Sequence, residues 1–207
     1  MSINISLFTL DKIKHEAKTL KHQLPHLSYM QRLDLASKET LKVRNYHEAK
    51  VRCKKHIDSY ITINGSVSEC SYCGLSFVES QKDDLKVHES RHLEYEKAEV
   101  TLGFLPATYK VRENNKKTAY DTLSPYSKTP ATIEMALLLI RTHFDRSLTE
   151  AIIHKYWRKH PTFEEYVAMS DDYKNMIPEP ITTMIRTKYG RIAGQIESGK
   201  SYWYPQD

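Results

Sequence analysis

Four residues between positions 70 and 92 have the types and spacing to hold a metal ion: Cys70 and Cys73 in a Cys-Ser-Tyr-Cys turn, and His88 and His92 in His-Glu-Ser-Arg-His. Two thiolates on a tight turn and two imidazoles at i and i+4 of one helix face converge on a tetrahedron, the arrangement that zinc takes with nitrogen and sulfur ligands. Four protein ligands close the coordination sphere, so the ion expected here is structural zinc, which stabilises the fold rather than performing a reaction. The alternatives are a pair of exposed cysteines beside a coincidental histidine pair, and a thioredoxin-like Cys-x-x-Cys, which needs a βαβ context that this sequence lacks. Cys53-Lys-Lys-His56 offers two more ligand types, but Cys53 lies on an apolar helical stripe and reads as a buried free thiol.

Several elements must position the four ligands. Ile61 to Val67, with Asn64-Gly65 inside, marks a turn leading into the cysteine knuckle. Ser80-x-x-Asp83 reads as the start of a helix that carries both histidines to about residue 97, and Phe77 and Leu85 are placed to fill a small core beneath the ion. Upstream, three short helices are expected over 9–57. Thr9 caps a stripe of Leu10, Ile13, Ala17, Leu20 and Leu24, which Pro25 ends. The capping signature Ser28-x-x-Gln31 opens a second helix with Met30, Leu33, Leu35 and Ala36, and Asn45-x-x-Glu48 opens a third with Tyr46, Ala49, Val51 and Cys53.

Downstream, Gly103, Pro106, Asn114-Asn115, Pro125 and Pro130 mark 102–130 as an irregular connector holding at most one helical turn. Helical patterns follow: Ile133 to Phe144 after Pro130, a separate helix capped by Ser147-x-x-Glu150, another capped by Thr162-x-x-Glu165, and a last one after Pro178 and Pro180 that Gly190 stops. The aromatic tail Tyr202-Trp203-Tyr204 is expected to dock or to form a strand. The fold class is therefore mostly α, divided into a basic helical module (1–60), a ββα-like zinc finger (61–99), a connector (100–130) and a helical domain with an aromatic tail (131–207).

Charge is unevenly distributed. The whole chain carries +5, but residues 1–56 hold twelve Lys/Arg against five acids, giving +7 there and −2 over the rest. Lys12, Lys14, Lys18, Lys21, Lys50, Arg52, Lys54 and Lys55 are the candidates for contacting phosphate; the same residues also suit an acidic protein surface or a merely solvated helical face. Three cysteines in 207 residues point to a reducing compartment, with the cytoplasm as the default, and no aliphatic run is long enough to span a bilayer.

Residues 70–92, read as Cys-x2-Cys-x3-Phe with a following Leu-x2-His-x3-His, resemble the Cys2His2 zinc-finger family. The loop before the helix is longer than the family's, with seven residues between Phe77 and Leu85. The resemblance implies that Gln81, Asp84 and Val87 occupy the base-reading positions. Residues 66–97, however, carry seven acids against four bases, the wrong sign for approach to phosphate. This finger is thus expected to be a structural joint or a protein contact. Residues 18–50 are similar to a helical N-terminal segment of bacterial phage- and plasmid-borne proteins, and His160 to Met169 is similar to part of bacterial finger proteins of unassigned activity. Both imply a mobile-element setting rather than a chemistry.

No nucleophile elbow, P-loop or dinucleotide fingerprint is present, and six glycines leave little room for one. Asp145, Glu150, His154, His160, Glu164 and Glu165 cluster in sequence without matching a metal or triad template, so no catalytic residue and no small-molecule substrate are expected. The expectation is a zinc-stabilised binding protein that meets nucleic acid, or a nucleic-acid-bound complex, through its basic N-terminal helices. The alternative is a phage- or plasmid-type inhibitor or adaptor that binds protein through the acidic finger helix and the aromatic tail.

Overall fold

In the computed structural model, which describes residues 4–124, 126–127, 130–170, 177–196 and 201–206, the chain divides into two compact units, 1–103 and 104–207. Both are mostly helical, and the strands of one small sheet lie in the first.

The first unit begins with α1 (Leu7–Gln23), α2 (Tyr29–Leu41) and α3 (Tyr46–Asp58). Each buries one stripe: Leu10, Ile13 and Ala17 of α1; Leu33, Ala36 and Leu41 of α2; Tyr46, Ala49, Cys53 and Ile57 of α3. Burial of each large aliphatic side chain in such a core stabilises by roughly 1.5–3 kcal/mol. Met30 and Val51, expected on these stripes, are instead exposed. The predicted caps at Ser28 and Asn45 are present, and Ser28 forms the full reciprocal box with Gln31. The cap of α1 is Ser6 rather than Thr9; Ser6 Oγ accepts from the Thr9 amide at 3.1 Å. Arg32 is buried where α1 and α2 meet, its Nε donating to the Ala17 carbonyl at 3.0 Å and its Nη1 to the Leu27 carbonyl.

A three-stranded antiparallel sheet follows, in the order β1 (Ile61–Asn64), β2 (Val67–Cys70), β3 (Ser76–Phe77). Pairing of Asn64 with Val67 leaves a two-residue loop whose first residue, Gly65, has φ +66°, a conformation that a side chain disfavours. The sheet feeds α4 (Lys82–Leu102), which ends at Gly103 in a left-handed cap, beyond the expected end near 97. Its start also differs from expectation: Gln81 precedes the helix without a side-chain cap bond.

The second unit is organised around α6 (Ile133–Ile153), flanked by α5 (Tyr109–Leu123), α7 (Phe163–Met169) and α8 (Glu179–Tyr189), with a 3-10 turn at Trp157–Lys159. Two expectations are overturned here. Residues 109–123, assigned to the irregular connector, form a 15-residue helix packed on α6; Pro125, part of the same assignment, lies outside the described residues. Ser147 does not start a new helix, because α6 runs through it without a break and buries it completely. The predicted cap at Thr162 and stop at Gly190 are present. The aromatic tail is docked without strand pairing: Trp203 is buried, its amide donates to Ser147 Oγ at 2.9 Å, and Tyr166 Oη donates to the Ser201 carbonyl. Among the described residues no helix is long and apolar enough to cross a membrane.

Candidate metal centre

Cys70 closes β2, and the backbone then folds over on itself. The Cys70 amide donates to the Leu75 carbonyl at 3.0 Å, and the Gly74 amide donates to the Cys70 carbonyl at 2.8 Å. Gly74 sits at φ +67°, so the turn brings both thiols to the same side. From the other side α4 presents His88 and His92 on successive turns. The four ligand atoms lie within 4.8 Å of one another, and all four residues are buried. The structure thus brings together the whole set read from the sequence, as a possible metal site.

The walls hold the rings in place. Phe77 stacks on His88 with centroids 4.2 Å apart, and Tyr72 stacks on His92 at 4.5 Å. The two imidazoles meet edge to face at 5.5 Å. Arg91 Nε donates to the Cys73 carbonyl at 3.0 Å, which ties α4 to the knuckle. Phe77 fills the core as expected, whereas Leu85 is 36% exposed. Leu85 lies in the first turn of α4, and Asp84 Oδ2 holds the loop before the helix by accepting from the Val78 amide at 3.0 Å.

The electrostatics fit a cation. His88 Nε2 and His92 Nε2 are both buried with no hydrogen-bond partner, which leaves two polar atoms in need of one. The Cys70 sulfur is 3.6 Å from His92 Nδ1. Hydrogen bonding from the Cys73 thiol outweighs burial and, with the two imidazoles, holds the Cys70 thiol far below its ordinary range; the same partner pushes Cys73 up. For His92, burial favours the neutral ring, but Cys70 on one side and Glu96 on the other raise it to about 9. A cation would displace these protons and take over their role. Cys53 and His56 are not in the cluster; burial foremost pushes the Cys53 thiol up to about 12.

Sequence reasoning missed Glu96. It is buried, its Oε1 is 3.4 Å from His92 Nε2, and its two oxygens accept from the Leu7 and Phe8 amides at 3.1 and 2.6 Å. The signal was available: a carboxylate four residues after a ligand histidine shares its helix face.

All eight candidate basic residues are exposed, with Lys12, Lys14, Lys18 and Lys21 on α1 and Lys50, Arg52, Lys54 and Lys55 on α3. Two are already engaged within their own helix: Arg52 with Glu48 at 2.6 Å and Lys54 with Asp58 at 2.9 Å. Lys12 lies over the Phe8 ring and Lys50 over the Tyr46 ring. Lys14, Lys50 and Lys54 line a groove of about 530 Å³ together with Asp58, Glu79 and Glu89, and its apolar lining includes Leu10, Val51, Ile57 and Phe77.

The acid and histidine residues of 145–165 serve the fold. Asp145 is buried against Arg141 at 2.9 Å, and Glu165 completes the cap at Thr162. His154 pairs with Glu150 in solvent at 3.5 Å. His160 Nε2 does meet Ser147 Oγ at 2.9 Å, but that hydroxyl is wholly buried and also accepts from the Trp203 amide, so it has no path to a substrate. No protein-family model, curated protein or solved structure matches the chain.

Proposed function

We propose that the chain is a zinc-stabilised binding protein: a Cys2His2 finger fused to a helical trio whose lysines contact nucleic-acid phosphates. The closed, buried Cys2His2 set supports zinc. Zinc bonds of about 2.3 Å to sulfur and 2.0–2.1 Å to nitrogen put neighbouring ligand atoms of a tetrahedron about 3.6 Å apart. The separation between Cys70 Sγ and His92 Nδ1 is 3.6 Å. With two sulfurs and two imidazoles filling the sphere, the ion supplies folding free energy and no open coordination position.

The observation that carries the nucleic-acid reading is the placement of the lysines. Lys14, Lys18 and Lys21 recur along one face of α1, and Lys14 meets Lys50 and Lys54 of α3 at a common groove. The finger helix is not the reading element. Asp84 is tied to the Val78 amide, and the acids around it repel phosphate. The test is titration of the zinc-loaded protein with labelled single- and double-stranded DNA and RNA at several salt concentrations, beside a variant with Lys14, Lys18, Lys21 and Lys50 changed to Glu. Each lost phosphate contact should lower the salt slope by about 0.7–0.9. An unchanged slope refutes the reading.

A protein-binding adaptor is the second reading, favoured by the apolar lining of the groove and by Val51 and Leu85 exposed along it. The aromatic tail contributes less to it than expected, because Trp203 is buried and Tyr204 alone of the three is largely exposed.

A further inference from the structure

The structure assigns Glu96 a double role: it orients His92 so that Nδ1 is the metal-binding nitrogen, and it fastens the start of α1 to the metal centre, so that metal occupancy and the docking of α1 are linked. The inference rests on a metal ion occupying the cluster, and it is independent of what the lysines bind.

A histidine ligand offers one nitrogen to the metal, and the partner of the other nitrogen fixes the tautomer and the ring orientation. His92 Nδ1 faces the ligand cluster, 3.6 Å from the Cys70 sulfur, while Nε2 faces Glu96 Oε1 at 3.4 Å. Tyr72 stacks on the ring with centroids 4.5 Å apart and fixes its plane. With a metal on Nδ1, the Nε2 proton would have the Glu96 carboxylate within reach; at 3.4 Å the contact falls short of a hydrogen bond, and a small approach would close it into a carboxylate–histidine–metal relay.

The other end of the link lies on α1. An α-helix leaves its first amides without partners inside the helix. Here Ser6 Oγ takes the Thr9 amide, and Glu96 takes those of Leu7 and Phe8 at 3.1 and 2.6 Å. A carboxylate at this end also meets the positive pole of the helix dipole. Glu96 is 5% exposed, so without both partners it would be a stranded buried charge. One side chain therefore depends at once on the metal-bound ring and on the start of α1. Coupling between two such sites is reciprocal: what strengthens one side strengthens the other.

Three measurements on the full chain test this. Long-range proton–nitrogen NMR of the zinc-loaded wild type reports which nitrogen of His92 carries the metal; Nδ1 is expected, and Nε2 overturns the assignment. Hydrogen exchange compares the Leu7 and Phe8 amides with and without zinc, taking the buried α2–α3 amides as the internal standard. Selective loss of protection at Leu7 and Phe8 on zinc removal is expected; equal protection with and without metal overturns the linkage. Glu96→Gln keeps the shape but removes the charge. Chelator competition should show zinc affinity reduced 10–100-fold, with the two amides less protected even in the loaded state. Unchanged affinity and protection overturn the proposal. Failure of the wild type to bind a stoichiometric metal lost on Cys70→Ser would defeat the zinc reading itself, a result distinct from zinc binding through Nε2.

Discussion

Replacing Ser147 with Ala tests whether this buried hydroxyl is a structural junction. Its oxygen accepts the Trp203 amide at 2.9 Å and meets His160 Nε2 at 2.9 Å. His160 Nδ1 faces the Pro161 carbonyl at 3.0 Å, which places the ring proton on Nδ1 and leaves Nε2 to accept from Ser147. Ala would leave two groups without partners, the Trp203 amide and His160 Nε2, in a site where Ser147 and Trp203 are 0% and 8% exposed. Each buried unsatisfied group costs about 1–3 kcal/mol, and release of the tail to water caps the first of these, so a total of ~2–4 kcal/mol is expected. Trp157 and Trp203 both lie in the second unit, so their emission during urea unfolding reads its stability directly. Repeating the substitution in a chain lacking residues 201–207 completes a double-mutant cycle. There Ala should cost only about 1 kcal/mol, because the tail amide is already gone and His160 can find water. A loss below about 0.5 kcal/mol in the full chain, or equal losses in both backgrounds, would refute the junction.

Three further outcomes are expected. Cys70→Ser or chelation should abolish stoichiometric zinc binding, measured by metal analysis after gel filtration, and should loosen the sheet and α4 while leaving Trp emission from the second unit unchanged. Burial foremost holds His143 and His160 neutral, each at about 4 against an ordinary 6.5. Their contribution is complete above pH 6.5 and is lost as pH falls through the folded values, since the unfolded chain takes up protons first. That amounts to at most ~3 kcal/mol each between pH 6.5 and 4, from about 1.4 kcal/mol for every tenfold difference in proton affinity between the folded and unfolded chain; urea unfolding at each pH should show the decline, and His160→Gln should flatten it. Arg141 lies 4.9–5.1 Å over the Phe104, Phe144 and Phe163 rings and pairs with buried Asp145. Arg141→Ala removes three ring contacts and the carboxylate's ion-pair partner, leaving Asp145 the Ala107 amide and the more distant Arg112, a loss of ~2–3 kcal/mol. Arg141→Met with Asp145→Asn should recover part of it, again by urea unfolding of the second unit.

The ligand set was legible because it is local: two turn cysteines and two histidines at helical spacing need no knowledge of the rest of the chain. The caps at Ser28, Asn45 and Thr162 were legible for the same reason. What escaped depends on partners distant in sequence. On the inward face of α5, Arg112, Asn115 and Lys116 precede Ala119, Tyr120 and Leu123, so the first half of its stripe is polar and gives no apolar period. Asn114-Asn115 then imitates a turn. Ser147 carries a cap's local signature, but Trp203 and His160 claim its hydroxyl, and the apolar face of α6 continues past it through Leu148, Ala151 and Ile152. Leu85 sits at a landmark of the finger pattern, yet in the first turn of α4 it is partly exposed, and the loop before it is held through Asp84. For Glu96 the i+4 spacing from His92 was legible, but its bonds to the Leu7 and Phe8 amides were not, because those partners are far away in sequence.

The seclusion of Cys53 gives this chain a built-in chemical clock. All three cysteines are buried, but Cys53 lies inside the helical trio and resists ionisation, whereas Cys70 and Cys73 lie together in the small knuckle, whose closure an ion would maintain. An alkylating reagent added to the metal-loaded protein should thus find no quickly reacting sulfur. Withdrawing the ion should open two to attack, or to oxidation into a bond with each other. The third should follow only when the helices come apart. Counting modified sulfurs by mass against time then separates loss of the ion from loss of the N-terminal fold in one sample.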